Sequence, residues 1–204
     1  NSCTNVFLGI GQGEMTATPL QMANLMCIIA NKGYYYTPHF VDSIDGRGEG
    51  DTILSPFKIK HEVTRIPDEV YEEVQLGMQD VVDRGTARVA RLEGISVAAK
   101  TGTAENYGII NGKREKLEDH SWFVCFAPRE NPQIAIAVIV ENAGYGATWA
   151  GPIAALMMEK FLNDTLRTER LKEVERIAAK EIILPVVKQK RMRLDSIRRI
   201  RLAL

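Results

Sequence analysis

The chain has 204 residues, 45% of them hydrophobic and 25% charged, a composition typical of a globular protein. This length suffices for one domain with a sizeable core, or for one domain plus an extension. No apolar run reaches the roughly 18 to 20 residues that a membrane-spanning helix needs, so no spanning segment is predicted. The chain begins Asn-Ser-Cys, without Met or a signal-like stretch, and we expect it to be a piece of a longer protein.

The charges sum to zero but are unevenly distributed. Residues 188–204 carry seven basic residues and one acidic residue, which leaves 19 basic and 25 acidic residues for the remainder. Such a basic tail is predicted to be a solvated extension, with contact to a membrane or an acidic partner as the alternative. The three cysteines, Cys3, Cys27 and Cys125, form neither an even set nor a metal-binding spacing, and buried free thiols are predicted.

The first predicted helix lies near the start of the chain. Thr18 can cap it, Pro19 suits its first turn, and Gly33 is a suitable residue to end it. It is apolar nearly all round, which is typical of a core helix. Residues 34–41 are then predicted to be extended, and the glycines within residues 46–50 indicate a turn.

A second helix and three strands follow. The helix is predicted to begin at Pro67, to carry acidic residues in its first turn, and to end at Gly85. Strands are predicted at 94–103, 121–127 and 134–141, and the last two are rich in Val, Ile, Phe and Trp. A proline-bounded turn joins the last two as a hairpin, and the third is apolar enough to predict cover on both faces.

The last helical segments suggest a division of the chain. A core helix is predicted over residues 148–162, with Pro152 in its first turn. Residues 163–179 continue as a charged helical pattern, which Pro185 breaks. We therefore divide the chain into a domain at 1–162 and a charged, basic extension at 163–204. The apolar stripe predicted for the core helix consists of Ile153, Leu156, Met157, Lys160 and Phe161.

The strongest functional signal is Lys100-Thr101-Gly102-Thr103, at the end of the first predicted strand. A given four-residue string arises by chance in such a chain on the order of a few times in a thousand. Lys100 supplies positive charge and donors toward an anionic substrate and a serine hydroxyl, and the Thr101 and Thr103 hydroxyls can hold a carboxylate. Gly102 lets a ligand lie close against the strand, and the Thr103 N–H can face a developing oxyanion.

The backbone around this string decides what it can bind. Strict alternation puts Thr101 and Thr103 on one face of the strand and Lys100 on the other. All three serve one site only if the ligand lies along the strand's edge, as an added strand does. Residues 94–101 also approach the phosphate-binding Gly-x4-Gly-Lys-Thr pattern, but Ala99 replaces the second glycine. The β-branched residues of this segment favour extended backbone over a tight phosphate loop, which argues against nucleotide binding.

Lys-Thr-Gly resembles the third motif of the serine acyl-transfer family that includes penicillin-binding proteins and class A β-lactamases. Over about residues 5–162 the sequence resembles one branch, the class B transpeptidases of the penicillin-binding protein 2 type. The segments that carry this resemblance are Gly-Ile-Gly-Gln-Gly at 9–13, Ala-Thr-Pro-Leu-Gln-Met-Ala at 17–23, Arg-Gly-Thr-Ala at 84–87, Lys-Thr-Gly-Thr-Ala-Glu at 100–105, Asp-His-Ser-Trp-Phe-Val at 119–124, Phe-Ala-Pro at 126–128, and residues 134–142.

The other two motifs of that family mark a departure. Its order is Ser-x-x-Lys, then Ser-x-Asn, then Lys-Thr-Gly, and no Ser-x-Asn occurs in this sequence. Ser55-Pro56-Phe57-Lys58 fits the first pattern formally, but so loose a pattern arises about once by chance in a chain of this length. It also lies too near the third motif, in a predicted loop. We therefore expect the serine nucleophile upstream of Asn1.

Several residues beside the motif are predicted to be structural. Gly11, Gln12 and Gly13 would form a tight connection into the first helix rather than a ligand site, and His120 would be a hydrogen-bonded structural histidine. The three tyrosines at 34–36 are expected to pack rather than to form a stacking platform. The remaining positions, a cleft mouth or a solvated loop at Glu105 and Asn106 and a residue over the cleft at Tyr145, stay open.

The resemblance implies an α/β fold of the serine β-lactamase and transpeptidase type, here incomplete, with an antiparallel sheet of at least three strands and flanking helices. It implies cross-linking of peptidoglycan stem peptides by serine acyl transfer and binding of β-lactams. Lys100 and Thr103 would be catalytic, and Thr101, Gly102 and Thr103 would bind substrate. No metal, organic cofactor or nucleic acid is implied.

The resemblance also implies a parent protein anchored in the inner membrane, with this domain in the periplasm, working with a membrane glycosyltransferase in cell-wall synthesis and cell shape. The chain by itself is expected to be soluble, inactive without its nucleophile, and able to self-associate through the apolar surface of an incomplete domain. Two other functions stay open: a β-lactam-sensing receptor domain on the same fold, and a catalytically dead scaffold that binds cell-wall machinery.

Overall fold

The computed structural model describes residues 2–9, 11–12, 16–45, 52–63, 66–110, 112–182 and 192–195. The predicted glycine turn at 46–50, Gly13, Pro185, the Cys3 side chain and most of the basic tail lie outside this description. The helices are α1 (Ser2–Gly9), α2 (Pro19–Ala30), α3 (Asp68–Asp83), α4 (Ala150–Asn163) and α5 (Thr168–Ala178). The strands are β1 (Tyr34–Tyr36), β2 (Lys60–Glu62), β3 (Ala98–Ala104), β4 (Tyr107–Ile110), β5 (Lys113–Lys116), β6 (His120–Ala127) and β7 (Ile134–Val140).

A three-stranded antiparallel sheet in the order β3-β6-β7 forms the centre of the fold. β6 and β7 pair as the predicted hairpin, with Phe123 opposite Val138. Both faces of this sheet are covered, as the apolar sequence of β7 predicts. One core cluster, on the α4 face, includes Phe123, Cys125 and Met158; the other, on the α2 face, includes Met26 and Phe126.

Helix α2 begins as predicted and ends three residues earlier. Thr18 and Gln21 form a capping box, because each side chain accepts a hydrogen bond from the other residue's N–H. The helix ends at Ala30, since Lys32 and Gly33 both have positive φ angles, 57° and 105°. The prediction of a core helix holds for one side only. Met26 is buried, whereas the other side of the helix is exposed, including Leu20 and Leu25.

Burial of the β6 thiol confirms one cysteine prediction. Cys125 is fully buried in the α4-face cluster, and burial raises the pKa of its thiol to about 12. Cys27 on α2 is half-buried, and burial raises the pKa of its thiol as well. Within the described residues, no helix is both long and apolar enough to cross a bilayer.

The apolar stripe predicted for α4 is wrong. Met157 and Phe161 are 49% and 55% exposed, and the buried side of the helix consists mainly of small residues instead. A Cβ at Gly151 would lie 2.8 Å from the Val89 side chain and 3.2 Å from that of Phe123. Small side chains therefore allow α4 to approach the sheet closely, a constraint that hydrophobic periodicity does not record.

The charged segment after α4 folds back as α5. Glu159 of α4 is fully buried, and its Oε1 accepts from Arg167 Nε at 2.8 Å. Its Oε2 lies 3.1 Å from Arg170 Nε, an ion-pair contact without hydrogen-bond alignment. Arg170 also donates to the Arg91 carbonyl at 3.0 Å. The division at residue 162 remains a prediction, and the β4–β5 hairpin is an element that the sequence analysis did not predict.

Replacing Arg170 by methionine leaves the buried Glu159 carboxylate with one cation instead of two. We expect Arg170→Met to lower the free energy of unfolding by about 3 kcal/mol, because a buried charge that loses its partner is strongly destabilising. Chemical denaturation measures this change. Arg84→Met is the control, since Arg84 pairs with Asp80 in an exposed i,i+4 bridge. Equal effects of the two substitutions would contradict the importance of burial.

Candidate active site

The Lys-Thr-Gly-Thr string lies on β3, which is the edge strand of the central sheet. Within the described residues, β3 pairs with β6 alone, with Thr101 opposite Phe123 and Thr103 opposite Ser121. Phe123 belongs to the α4-face cluster, and Val124, opposite Lys100, belongs to the α2-face cluster. The predicted alternation is thus confirmed, with the two threonines on one face and the lysine on the other.

Two side chains donate hydrogen bonds to backbone carbonyl oxygens of the string. Lys100 Nζ donates to the Thr101 carbonyl at 2.8 Å, and Gln12 Nε2 donates to the Thr103 carbonyl at 2.9 Å. Neither donor belongs to β6, and the two carbonyls are two residues apart. In an antiparallel ladder, alternate residues direct both N–H and C=O away from the partner strand. We infer that the backbone N–H and C=O groups of Thr101 and Thr103 point to the free edge of the sheet. Their carbonyl oxygens are occupied there, and their N–H groups remain as donors.

Gln12 and Thr86 are site contacts that the sequence analysis did not assign. Gln12 was predicted to be part of a structural connection, and its side chain instead binds the motif strand. The Thr86 hydroxyl lies 2.8 Å from that of Thr101, so Thr86 orients the hydroxyl that is predicted to bind the substrate carboxylate. Both residues fall inside segments that carry the family resemblance, Gly-Gln-Gly and Gly-Thr-Ala. That shared placement was the only signal that could have found them.

The loop between β7 and α4 lies directly against the string. A Cβ at Gly146 would be 2.1 Å from the Trp122 carbonyl oxygen and 2.6 Å from that of Gly102, so only glycine fits there. The buried Ser121 hydroxyl fixes this loop, because it donates to the Tyr145 carbonyl at 2.9 Å and accepts from Ala150 N at 3.1 Å. The loop therefore forms a wall beside Thr101 and Thr103.

The residues after the string form a second hydrogen-bonded group. Asn106 Nδ2 donates to Asn142 Oδ1 at 2.7 Å and to the Glu118 carbonyl at 3.1 Å. His120 Nδ1 accepts from the backbone N–H of Asn142 at 3.2 Å, which confirms a structural histidine. Tyr145 is 75% exposed. Asn106 is thus held in place by its side-chain hydrogen bonds and is not a freely solvated loop residue.

The tyrosines of β1 pack as predicted. Tyr34 and Tyr36 meet edge to face at 6.2 Å, and the Tyr35 ring stacks on His61 at 5.1 Å. Lys60 lies over the Tyr34 ring at 4.3 Å. These contacts belong to the β1–β2 pair, which the motif strand does not join.

Neither the Ser-x-x-Lys pattern at residues 55–58 nor the phosphate-loop-like pattern at residues 94–101 forms a site. Ser55 begins a 3-10 turn, and its hydroxyl donates to the Thr52 carbonyl at 3.2 Å. Within the described residues, no hydrogen bond joins that hydroxyl to Lys58 or Lys100. The phosphate-loop alternative fails because β3 runs as extended backbone through Ala98–Ala104, where a phosphate loop would turn into a helix.

Comparison with known proteins decides the family. The family model described as "Penicillin binding protein transpeptidase domain" matches residues 4–159. The chain belongs to this family. Within the penicillin-binding transpeptidases it is of the penicillin-binding protein 2 type. It is 35% identical over 184 residues to the peptidoglycan D,D-transpeptidase MrdA of Haemophilus influenzae, covering 84% of this chain and 27% of the relative.

Other penicillin-binding transpeptidases agree with this assignment. MrdA of Acinetobacter baumannii is 39% identical, over 71% of this chain and 22% of the relative. The Pseudomonas aeruginosa PBP2 structure in complex with WCK 5153 superposes with a TM-score of 0.64 at 37% identity, covering 82% of this chain and 36% of that one. The imipenem acyl-enzyme of Mycobacterium tuberculosis penicillin-binding protein A gives 0.61 at 26% identity, covering 79% and 35%. The chain thus spans about a quarter of the length of the curated relatives that it matches.

Gly146 provides a direct test of how the loop meets the motif strand. We expect Gly146→Ala to lower the free energy of unfolding by about 1–3 kcal/mol, because the new methyl group meets backbone atoms that cannot rotate away. Gly77→Ala on α3 is the matched control. Apart from its chain neighbours and the adjacent helix backbone, no described atom lies within 4 Å of its Cβ position, and helix propensity there favours alanine by about 0.5–1 kcal/mol. A Gly146→Ala variant as stable as the unsubstituted chain would contradict the observed packing.

Proposed function

We propose that this chain supplies the anion-binding edge strand of a serine D,D-transpeptidase that cross-links peptidoglycan stem peptides and is acylated by β-lactams. The observation that supports this most directly is the arrangement at the edge of β3. Lys100 and Gln12 occupy the Thr101 and Thr103 carbonyls, so donors predominate at that edge. An edge rich in N–H, hydroxyl and ammonium groups suits an extended ligand that ends in a carboxylate.

The reaction that we propose is acyl transfer in two steps. A serine hydroxyl attacks the carbonyl of the D-Ala-D-Ala amide, the amide bond breaks, and the departing D-Ala amine takes up a proton. An amine of a neighbouring stem then attacks the serine ester, which forms the cross-link and restores the hydroxyl. A β-lactam mimics the amide and leaves a stable acyl-enzyme. Among the relatives, the penicillin-binding protein A of M. tuberculosis forms such an acyl-enzyme with imipenem.

Each residue of the string has a proposed role. The Thr101 and Thr103 hydroxyls bind the terminal carboxylate, with Thr86 orienting that of Thr101. Gly102 allows the ligand backbone to lie close to β3, and the Thr103 N–H donates to the oxyanion of the tetrahedral intermediate. A donor of this kind contributes roughly 10²- to 10³-fold in rate. Lys100 contributes positive charge beside the carboxylate and helps to activate the serine.

We propose that the serine itself is not among these 204 residues. Ser-x-Asn does not occur in the sequence, and the one Ser-x-x-Lys begins at a serine whose hydroxyl is engaged in a local turn.

The active protein would then be a periplasmic domain anchored in the inner membrane and working with a membrane glycosyltransferase. A PBP2 of Helicobacter pylori forms a complex with MreC, and a comparable assembly is proposed here. Exposed apolar side chains on α2 and α3 support self-association of the isolated chain.

Intact-mass spectrometry after incubation with a reactive penicillin tests the proposed function. We expect no covalent adduct on residues 1–204 alone and a stoichiometric adduct on a longer natural protein that contains them. An adduct on the isolated chain, mapped to Ser55, would show that the nucleophile lies within this sequence. If a longer protein contains the Ser-x-x-Lys and Ser-x-Asn motifs and still gains no mass, the result would favour a scaffold without catalysis.

Substitution of the threonines in that longer protein tests the carboxylate site. Thr101→Val keeps the side-chain volume and removes the hydroxyl, so one hydrogen bond to a charged group is lost. Such bonds contribute about 1.5–3 kcal/mol, which corresponds to an acylation rate lower by about 10- to 150-fold. Thr165→Val is the matched control, because Thr165 is an exposed residue between α4 and α5. An unchanged rate for Thr101→Val would remove Thr101 from the proposed site.

A further inference from the structure

Helix α5 contacts the wall of the candidate site, although it lies beyond the residues that the family model matches. Arg176 Nη2 donates to the Thr148 carbonyl at 3.0 Å. The same guanidinium lies 4.4 Å from the centre of the Trp149 ring, with Lys180 Nζ at 5.8 Å. Both contacted residues belong to the segment between β7 and α4, so α5 holds this segment by a hydrogen bond and a cation–π contact.

Glu173 fixes the orientation of Arg176. Its two carboxylate oxygens accept from Arg176 Nε at 2.9 Å and from Nη2 at 2.7 Å. This bidentate hydrogen bond lowers the pKa of Glu173 below its usual range, so the carboxylate is ionised at neutral pH. A planar guanidinium held at both ends presents its face to Trp149 with little freedom to rotate. We call Glu173, Arg176 and Trp149 the α5 clasp.

A short series of contacts connects the α5 clasp to the motif strand. Thr148 N donates to the Tyr145 carbonyl at 3.0 Å, and Gly151 N donates to the Gly146 carbonyl at 2.8 Å. Gly146 lies against the backbone of Gly102, where there is no room for a Cβ. A shift at residues 148 and 149 therefore moves Gly146, which flanks the threonines of the string. Two of these contacts are backbone hydrogen bonds within residues 145–151, so a displacement at one end of this segment is expected to reach the other end.

We propose that Arg176 is a positioning residue for acyl transfer, an inference that rests on the proposed function. The α5 clasp holds the segment 145–149 against β3, and this keeps the Thr101 and Thr103 hydroxyls and the Thr103 N–H in place for the carboxylate and the oxyanion. The ion pairs of Glu159 have a different role, because they attach α5 to α4, and within the described residues they do not join residues 145–149. The family domain would thus depend on a helix outside its matched residues.

Amide hydrogen exchange in residues 1–204 tests the mechanical part of this proposal. We expect Arg176→Ala to speed exchange at the amides of Thr148 and Gly151 by about tenfold, because the segment loses its hold on α5. Lys172→Ala is the matched control, since Lys172 is an exposed cation on the same helix. Exchange at these amides that stays within twofold of the unsubstituted chain, or that rises equally in both variants, would overturn the α5 clasp.

The acylation rate of a longer protein that contains this chain tests the catalytic part. Arg176→Ala should lower the second-order rate with a reactive penicillin by about tenfold, while the melting temperature stays within about 2 °C. Arg176→Lys should be intermediate, because it keeps a cation over Trp149 and loses the bidentate bond to Glu173. An unchanged rate for Arg176→Ala would overturn the positioning role. An unsubstituted protein that is not acylated would instead overturn the proposed function, and the exchange result would still decide whether the clasp exists.

Discussion

The central sheet is buried on both faces at β6 and β7, and this leaves the edge strand β3 as the place where a ligand can meet it. Helix α4 covers one face and α2 covers the other, with clusters that include Phe123 and Phe126. The string on β3 lies at the margin of this covered sheet, with Lys100 exposed and the next three residues half-buried, and its free edge is unpaired within the described residues. An edge presents backbone groups two residues apart, which is the spacing of an added strand. Peptide-like ligands suit such a site better than compact ones do.

The close fit around Gly102 follows from the same constraint. The wall formed by the β7–α4 loop lies on the backbone of this residue, and the absence of a Cβ at Gly146 makes that contact possible. The buried hydroxyl of Ser121 satisfies both the loop and the first turn of α4. A buried polar group that serves two elements specifies their relative position, because any displacement leaves a donor or an acceptor without its partner. The site geometry thus depends on residues that would never bind substrate.

Much of this arrangement could be predicted from the sequence, since strand patterns record alternation and burial directly. The two faces of Lys100 and Thr101 and the hairpin of β6 and β7 follow from period-2 patterns and turn residues, whereas the position of β3 at the edge of the sheet does not. The buried side of α4 could not be predicted, because a helix packed through alanine and glycine leaves its larger residues outside. Hydrophobic periodicity then indicates the wrong side.

Long-range polar contacts could not be predicted from the sequence either. Gln12 and Thr103 are 91 positions apart, and no local pattern links an amide side chain to a particular carbonyl. The pairing of Thr86 with Thr101 has the same character. Family resemblance marked the segments that contain these residues without stating what each one contacts. Resemblance to relatives therefore indicates where the candidate site lies, whereas the contacts at its edge follow from the fold alone.

The charges of α5 explain why a polar helix keeps a fixed place on the domain. Arg170, Glu173 and Arg176 recur every three residues and so share one side of the helix. A buried carboxylate such as Glu159 gains little net stability from its cations, because desolvation offsets most of the attraction. It does, however, penalise every position of α5 that leaves it unpaired. The same penalty that fixes Arg170 at Glu159 sets Arg176, about two turns further on, beside Trp149. A helix held by apolar contacts alone could slide or rotate at smaller cost, and its hold on the loop beside the motif strand would be less specific.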